Sequence, residues 1–178
     1  MSAPPNTYAI AVLGPDRPGI IAGITEVLLR EHGNLEDSAM TILHEMFTMT
    51  LVVSTPATIE EVRTDLGKVA DRLGLVVSIR DVTSAAAVTT GDPHVVRVHG
   101  ADRPGLVYDV TSALAAHDVN ITDLATRLVG GANPTYVMHV HCDIPETTSA
   151  ASVRDDLAII ARRLGIHLTL QPADSDEL

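Results

Sequence analysis

The sequence predicts an α+β fold built twice over: two successive units, each a four-stranded antiparallel sheet with two helices on one face. Three observations carry this. Residues 8–37 match residues 94–123 without a gap, with ten identities in thirty positions. A second stretch, 62–79 against 153–170, has eight identities in eighteen. Within each copy the apolar pattern switches between period two and helical spacing in the order β-α-β-β-α-β.

In the first copy, Tyr8–Leu13 is a short β-rich run that stops at a Gly/Pro turn. From Pro18 onward, Ile20, Ile21, Ile24, Val27 and Leu28 fall at helical spacing, and Gly33 supplies the stop. Leu35–His44 and Phe47–Ser54 read as the two strands of a hairpin. Thr58 followed by Glu61 is a capping-box start for a second helix. That helix buries Val62, Leu66, Val69 and Leu73 and ends at Gly74, and Leu75–Val82 is the closing strand. The second copy repeats the order with Val95–His99, Pro104–His117, Ile121–Val129, Thr135–Asp143, Ser152–Leu164 and Ile166–Leu170. Its extra residues fall near 130–134 and 146–148, in turn-like sequence where insertion costs little.

This order closes most simply as the ferredoxin-like arrangement, with the first and third strands of each unit side by side in the centre. Residues 7–83 form the first unit and 94–171 the second. Residues 84–93 read as a linker and 172–178 as an acidic tail.

Composition narrows the function classes. Twelve Lys and Arg against 23 Asp and Glu leave a net charge of −11. Phosphate backbones would repel such a chain, and Lys68 is its only lysine. Tyr8, Phe47, Tyr108 and Tyr136 are the only aromatic rings of the Phe, Tyr and Trp kind, too few for base-stacking platforms. No window nears the roughly 18 apolar residues of a spanning helix. Residues 1–6 lack the basic and apolar parts of a secretory leader, and the one cysteine, Cys142, suits a reducing compartment. A cytoplasmic location is the expectation.

The most informative motif is Gly-x-Asp-Arg-Pro-Gly between the first strand and first helix, present as Gly14–Gly19 and Gly100–Gly105. Pro18 and Pro104 suit a first helical position, and Asp16 and Asp102 can cap the free amides beside it. Gly19 and Gly105 leave room for a group to approach the backbone. Amide donors next to a carboxylate can take both ends of a zwitterionic amino acid. Gly19 is followed by Ile20-Ile21, so the Lys-Ser/Thr of a phosphate-binding loop is missing. There is no GxSxG, HExxH or CxxC. The expectation is a chain that is not an enzyme and carries no cofactor and no metal.

Asp-Arg-Pro-Gly after strand one, with Asn34 or Val119-Asn120-Ile121 leading into strand two, resembles the ACT domain. Among stand-alone tandem chains it is similar to the glycine cleavage system transcriptional repressor group. The resemblance spans both units and implies a regulatory module that senses amino acids. It further implies pockets between modules, where the loop of one meets the start of strand two of another. On this chain that points to Asp16 and Gly19 with Asn120 and Ile121, and to Asp102 and Gly105 with Asn34 and Leu35. Arg17 and Arg103, with Pro18 and Pro104, complete the loops. In the implied roles Asp receives the ammonium, loop amides take the carboxylate and Asn hydrogen-bonds either. Some amino-acid sensors carry a polar side chain two residues before the Asp, where this chain has Gly14 and Gly100; that favours a small ligand, glycine- or serine-like, or none.

Strand alternation assigns Val96, Val98, Tyr136, Met138, Val140 and Cys142 to the helix-covered face of the second sheet. Arg97, His99, His139 and His141 fall on its open face, where the first unit has Ala11, Leu13, Thr50 and Val52. The histidines read as a solvated polar face rather than a metal site, and Cys142 as a small core residue. The partners expected are a small amino acid, a protein that could itself bind DNA, and further copies of the chain; nucleic acid and membrane are not. The alternative is a structural oligomerisation module with no ligand.

Overall fold

The protein is described by a computed structural model covering residues 5–84, 91–131 and 134–173. It divides into two compact units, Met1–Ala86 and Ala87–Leu178. Most of the expected linker (85–90) and tail (174–178) lies outside the described residues.

The first unit runs β1 (Asn6–Pro15), α1 (Ile20–Arg30), β2 (Asn34–Leu43), β3 (Met46–Thr55), α2 (Ile59–Leu73) and β4 (Val76–Asp81). The second runs β5 (Asp92–Gly100), α3 (Leu106–Ala116), β6 (Asn120–Val129), β7 (Thr135–Ile144), α4 (Ala150–Leu164) and β8 (His167–Pro172). The sheets are ordered β2-β3-β1-β4 and β6-β7-β5-β8, every pairing antiparallel. Strands one and three of each unit are central neighbours, as the crossover argument requires. The strands exceed the expected runs by one to three residues at most ends, because ladder pairing continues past the last apolar residue. β5 in this way begins inside the segment read as linker.

Each core is aliphatic and lies between the sheet and its helices. In the first unit Ile10, Val12, Leu51 and Val53 meet Ile24 and Val27 of α1 and Val62 and Leu66 of α2. In the second, Val96, Val98, Met138, Val140 and Cys142 meet Leu114, Val153 and Leu157. Burial and the charge of Asp143 push the Cys142 thiol up to about 11, the behaviour of an inert core cysteine.

Helix ends follow the sequence in α2 and depart from it in α1. Thr58 and Glu61 form the reciprocal capping box, and Gly74 closes α2 at φ 69°. At the end of α1 the left-handed residue is His32 (φ 52°), not Gly33. Gly33 is needed for space: a Cβ there would lie 3.0 Å from Val53 Cγ1 and 3.1 Å from the Leu28 carbonyl oxygen. Register shifts between Leu35 and Asp37, and between Ile121 and Asp123, insert one extra residue into each edge strand. Alternation along the strand does not reveal them.

Candidate functional site

The Gly-x-Asp-Arg-Pro-Gly turns follow the central strands β1 and β5, and residues 16–19 and 102–105 are all exposed. Both differ from the expected cap. α1 begins at Ile20 and α3 at Leu106, with Gly19 (φ 95°) and Gly105 (φ 88°) as the N-caps. Pro18 and Pro104 sit in the preceding turn instead of at the first helical position. No side chain caps either helix, so Asp16 and Asp102 do not spend their carboxylates on the first-turn amides. The left-handed glycine explains this: it turns the chain sharply into the helix and takes the cap position the aspartate would need.

The result is an uncapped helix N-terminus beside an exposed carboxylate. The first helical bond runs from the Gly23 N–H to the Gly19 carbonyl at 2.9 Å, and its counterpart from Asp109 to Gly105 is also 2.9 Å. The two termini are not equal. α1 has no acidic residue in its first turn, whereas α3 has Asp109, paired with Arg163 at 2.9 Å. A bound carboxylate is better tolerated at the first.

In the first unit the loop borders a cleft of about 240 Å³. Asp16, Arg17, Pro18 and Gly19 form one side with the start of α1, and Met40, Ile42 and Phe47 form the other. The loop is tied to that wall by the Asp16 N–H, which donates to the Glu45 carbonyl at 2.8 Å. Glu45 (φ 64°) and His44 (φ 48°) make the two-residue hairpin turn in left-handed geometry without glycine. Met40, Ile42, Phe47 and Glu45 were not foreseen as site residues; their signal was two apolar residues on a strand whose positions are all exposed. In the second unit the ladder puts Thr126, Leu128 and Tyr136 at the positions of Met40, Ile42 and Phe47.

The remaining expected residues lie elsewhere. Asn34 pairs with Ser54 and Leu35 with Val53, level with Thr7 and Tyr8 at the start of β1. The loop follows the other end of β1. At about 3.4 Å per residue, roughly 20 Å or more separates Leu35 from the loop of its own unit. Asn120 and Ile121 stand likewise at the far end of β6, level with the start of β5. A single unit does not bring its loop and its strand-two start together.

Gly14 and Gly100 have a packing role. A Cβ on Gly14 would lie 2.6 Å from Leu75 Cδ2 and 3.0 Å from the Gly74 carbonyl oxygen. On Gly100 it would lie 2.6 Å from Ile166 Cγ2. The missing side chain is explained by the close approach of the α2–β4 and α4–β8 corners, and it says nothing of ligand size.

Val96, Val98, Met138, Val140 and Cys142 are buried against the helices, whereas Arg97, His99, His139 and His141 are not, as alternation along the strands requires. Among the described residues no group of three or more His, Cys, Asp or Glu side chains is arranged to hold a metal. None of their helices is long and apolar enough to cross a membrane.

With this fold and these paired loops, the chain matches ACT domain family models over residues 7–80 and 94–157. It belongs to the ACT domain family, as a tandem pair. It is 28% identical over 160 residues to the glycine cleavage system transcriptional repressor of Escherichia coli, covering 87% of this chain and 84% of the repressor. A UPF0237 protein of Methanopyrus kandleri is 35% identical over 74 residues, 40% of this chain and 82% of that protein. The crystal structure of an unknown protein from Galdieria sulphuraria has a TM-score of 0.82 at 26% identity, covering 95% of this chain and 99% of its own. The chain is thus a tandem ACT-domain protein related to a repressor.

Proposed function

We propose that the chain is a non-catalytic regulator that binds a small amino acid, glycine- or serine-like, and changes the activity of a protein partner. The observation that carries this is the cleft at the first loop, where the uncapped start of α1 faces an exposed carboxylate. The ammonium goes to Asp16 or Asp102 and the carboxylate to the amides that follow Gly19 or Gly105, with Arg17 and Arg103 at the rim. Asn34 and Leu35, or Asn120 and Ile121, complete each pocket from another module, since no unit joins both parts itself. Met40, Ile42 and Phe47 form an apolar wall beside the first loop.

The kinship with the Escherichia coli repressor supports a transcription regulator as the partner. Contact with DNA is then indirect, because a chain of net charge −11 is repelled by phosphate. A cytoplasmic, homo-oligomeric protein fits this role. β2 is ten residues long, on a sheet edge and exposed at every position, which suits pairing between copies. A ligand bridging two modules can shift partner affinity by about 5- to 150-fold, the span of couplings of about 1–3 kcal/mol.

A thermal-shift panel of the twenty amino acids tests the reading. At about 100 times its Kd, a true ligand stabilises by about 2.7 kcal/mol. A rise confined to one or a few small amino acids supports the sensor. A flat panel with a stable oligomer supports the second reading, an oligomerisation module, which the exposed β2 edge also favours.

A further inference from the structure

Ladder register resolves the open face of the second sheet into rows. One row reads Arg127, Val137, His99, His167 across β6, β7, β5 and β8. The next reads Ala125, His139, Arg97, Thr169. Neighbours across a row are about 4.8 Å apart, and rows follow about every 6.8 Å. Five cationic or protonatable groups thus share two adjacent rows with no carboxylate among them. The third row, Asp123, His141, Val95, Gln171, holds the nearest acid in register, and Asp143 stands one row further, opposite Pro93.

His99, His139, His167 and Arg127 are exposed. The His99 ring lies 6.4 Å from His139 and 6.5 Å from His167, centre to centre. Arg97 donates to Gln171 Oε1 at 3.1 Å. Beside these rings is a depression of about 240 Å³ lined by Ala125, Arg127, Val129, Val137 and His139. Its small residues leave the space between the guanidinium and the imidazole open.

The duplicated unit is an internal control. The matching rows of the first sheet are Thr41, Thr48, Leu13, Val76 and Ala39, Thr50, Ala11, Ser78. They contain no ionisable side chain, so the fold does not require charge there. A cation-rich patch on a chain of net charge −11 is a local reversal of sign. Zinc is a poor fit: Zn–N bonds of about 2.0–2.1 Å would bring two ring centres closer than these, and both arginines oppose a cation.

We propose that this face is a second ligand site, separate from the loops, for a small multiply charged oxyanion. Arg127 supplies a fork for two oxygens, and His99, His139 and His167 add charge when protonated. The common chemistry is a dianion, whether phosphate-like or dicarboxylate. Occupancy strengthens as the imidazoles gain protons. Asp123, His141 and Asp143 are the other titratable groups on this face, and the two aspartates oppose the effect.

The test uses the full chain and follows imidazole resonances by NMR during titration with sulfate, which keeps two charges throughout, against sodium chloride at equal ionic strength. The expected result is saturable shifts at His99, His139 and His167 in acidic buffer, weakening on the order of tenfold in alkaline buffer. His94 and His117 serve as reporters off the face. Arg127→Gln and a His99→Gln, His139→Gln, His167→Gln triple variant should lose the response, and Arg127→Lys should keep part of it. Circular dichroism checks that each variant folds. Phosphate and succinate, compared at one pH, then distinguish the two sources. Shifts reproduced by chloride, or binding unchanged in both Arg127→Gln and the triple variant, would overturn the site. So would a response to zinc with none to sulfate. Asp16→Ala and Asp102→Ala should leave sulfate binding intact, so this site and the amino-acid loops fail or stand separately.

Discussion

Replacing Gly14 by alanine tests why that glycine stands before the loop. The new methyl carbon would lie 2.6 Å from Leu75 Cδ2, 3.0 Å from the Gly74 carbonyl oxygen and 3.2 Å from Leu75 Cα. Carbon atoms pack comfortably at about 3.5–4.0 Å, so something must move. The Leu75 side chain can swing, but it belongs to the core, and the Gly74 carbonyl and Leu75 backbone move only with the α2–β4 corner. Overpacking of this kind costs about 1–3 kcal/mol. For a unit of this size that lowers Tm by roughly 4–24 °C. Gly67→Ala is the control: a Cβ there meets nothing within 4 Å, and in mid-helix it should stabilise by about 0.5–1 kcal/mol. Calorimetry on the full chain, with hydrogen exchange to locate the change in the first unit, reads both. A Gly14→Ala protein within about 0.5 kcal/mol of the parent would refute the packing argument. If that protein also changed which amino acid binds, Gly14 would belong to the ligand after all. Gly100→Ala should cost at least as much, since its neighbour Ile166 is β-branched and its Cβ lies only 3.0 Å away.

The other predictions concern charge, capping and thiol chemistry. Asp16→Ala and Asp102→Ala should each weaken amino-acid binding in calorimetric titration while changing stability by less than about 0.5 kcal/mol, because neither carboxylate caps a helix. Equal binding in both variants would remove the ammonium role. Thr58→Ala removes the α2 cap and should cost about 1 kcal/mol in urea unfolding. Hydrogen bonds from the Thr58 backbone and side chain hold the Glu61 carboxyl below its usual range, so its contribution is present above the ordinary glutamate pKa. It is lost as pH falls through the lowered one. The acid limb of the stability curve should therefore be shallower in Thr58→Ala than in the parent. Cys142, with its thiol pushed up to about 11, should react with a thiol reagent at neutral pH only as fast as the second unit opens. Rapid labelling of the native protein would contradict its buried position.

The strands, helices and their order were legible because each element advertises itself locally. Thr58 and Glu61 announce the capping box, Gly74 the stop, and alternation along β5 and β7 separates Val96, Val98, Met138 and Val140 from Arg97, His99 and His139. Duplication strengthened every reading, since a chance pattern seldom occurs twice in register. Hidden from the sequence were features set by contacts distant along the chain. Nothing near Gly14 names Leu75 as the atom group it must clear. Pro18 and Asp16 make a convincing local cap, yet a left-handed Gly19, tied in place with the loop by Glu45, takes that position. Met40, Ile42 and Phe47 become a wall of the cleft only because β2 pairs with β3 and the hairpin returns beside the loop.

The repeated βαββαβ order, the sheet faces and the two loops were legible before folding is considered, because all of them depend on periodicities of two and 3.6 residues and on turn chemistry. How each loop is closed, why its glycines are required, and which side chains from different strands share a row emerge only when the chain has folded. Those depend on ladder register and on distances of a few ångströms between residues sixty to more than seventy positions apart, and no local pattern encodes them.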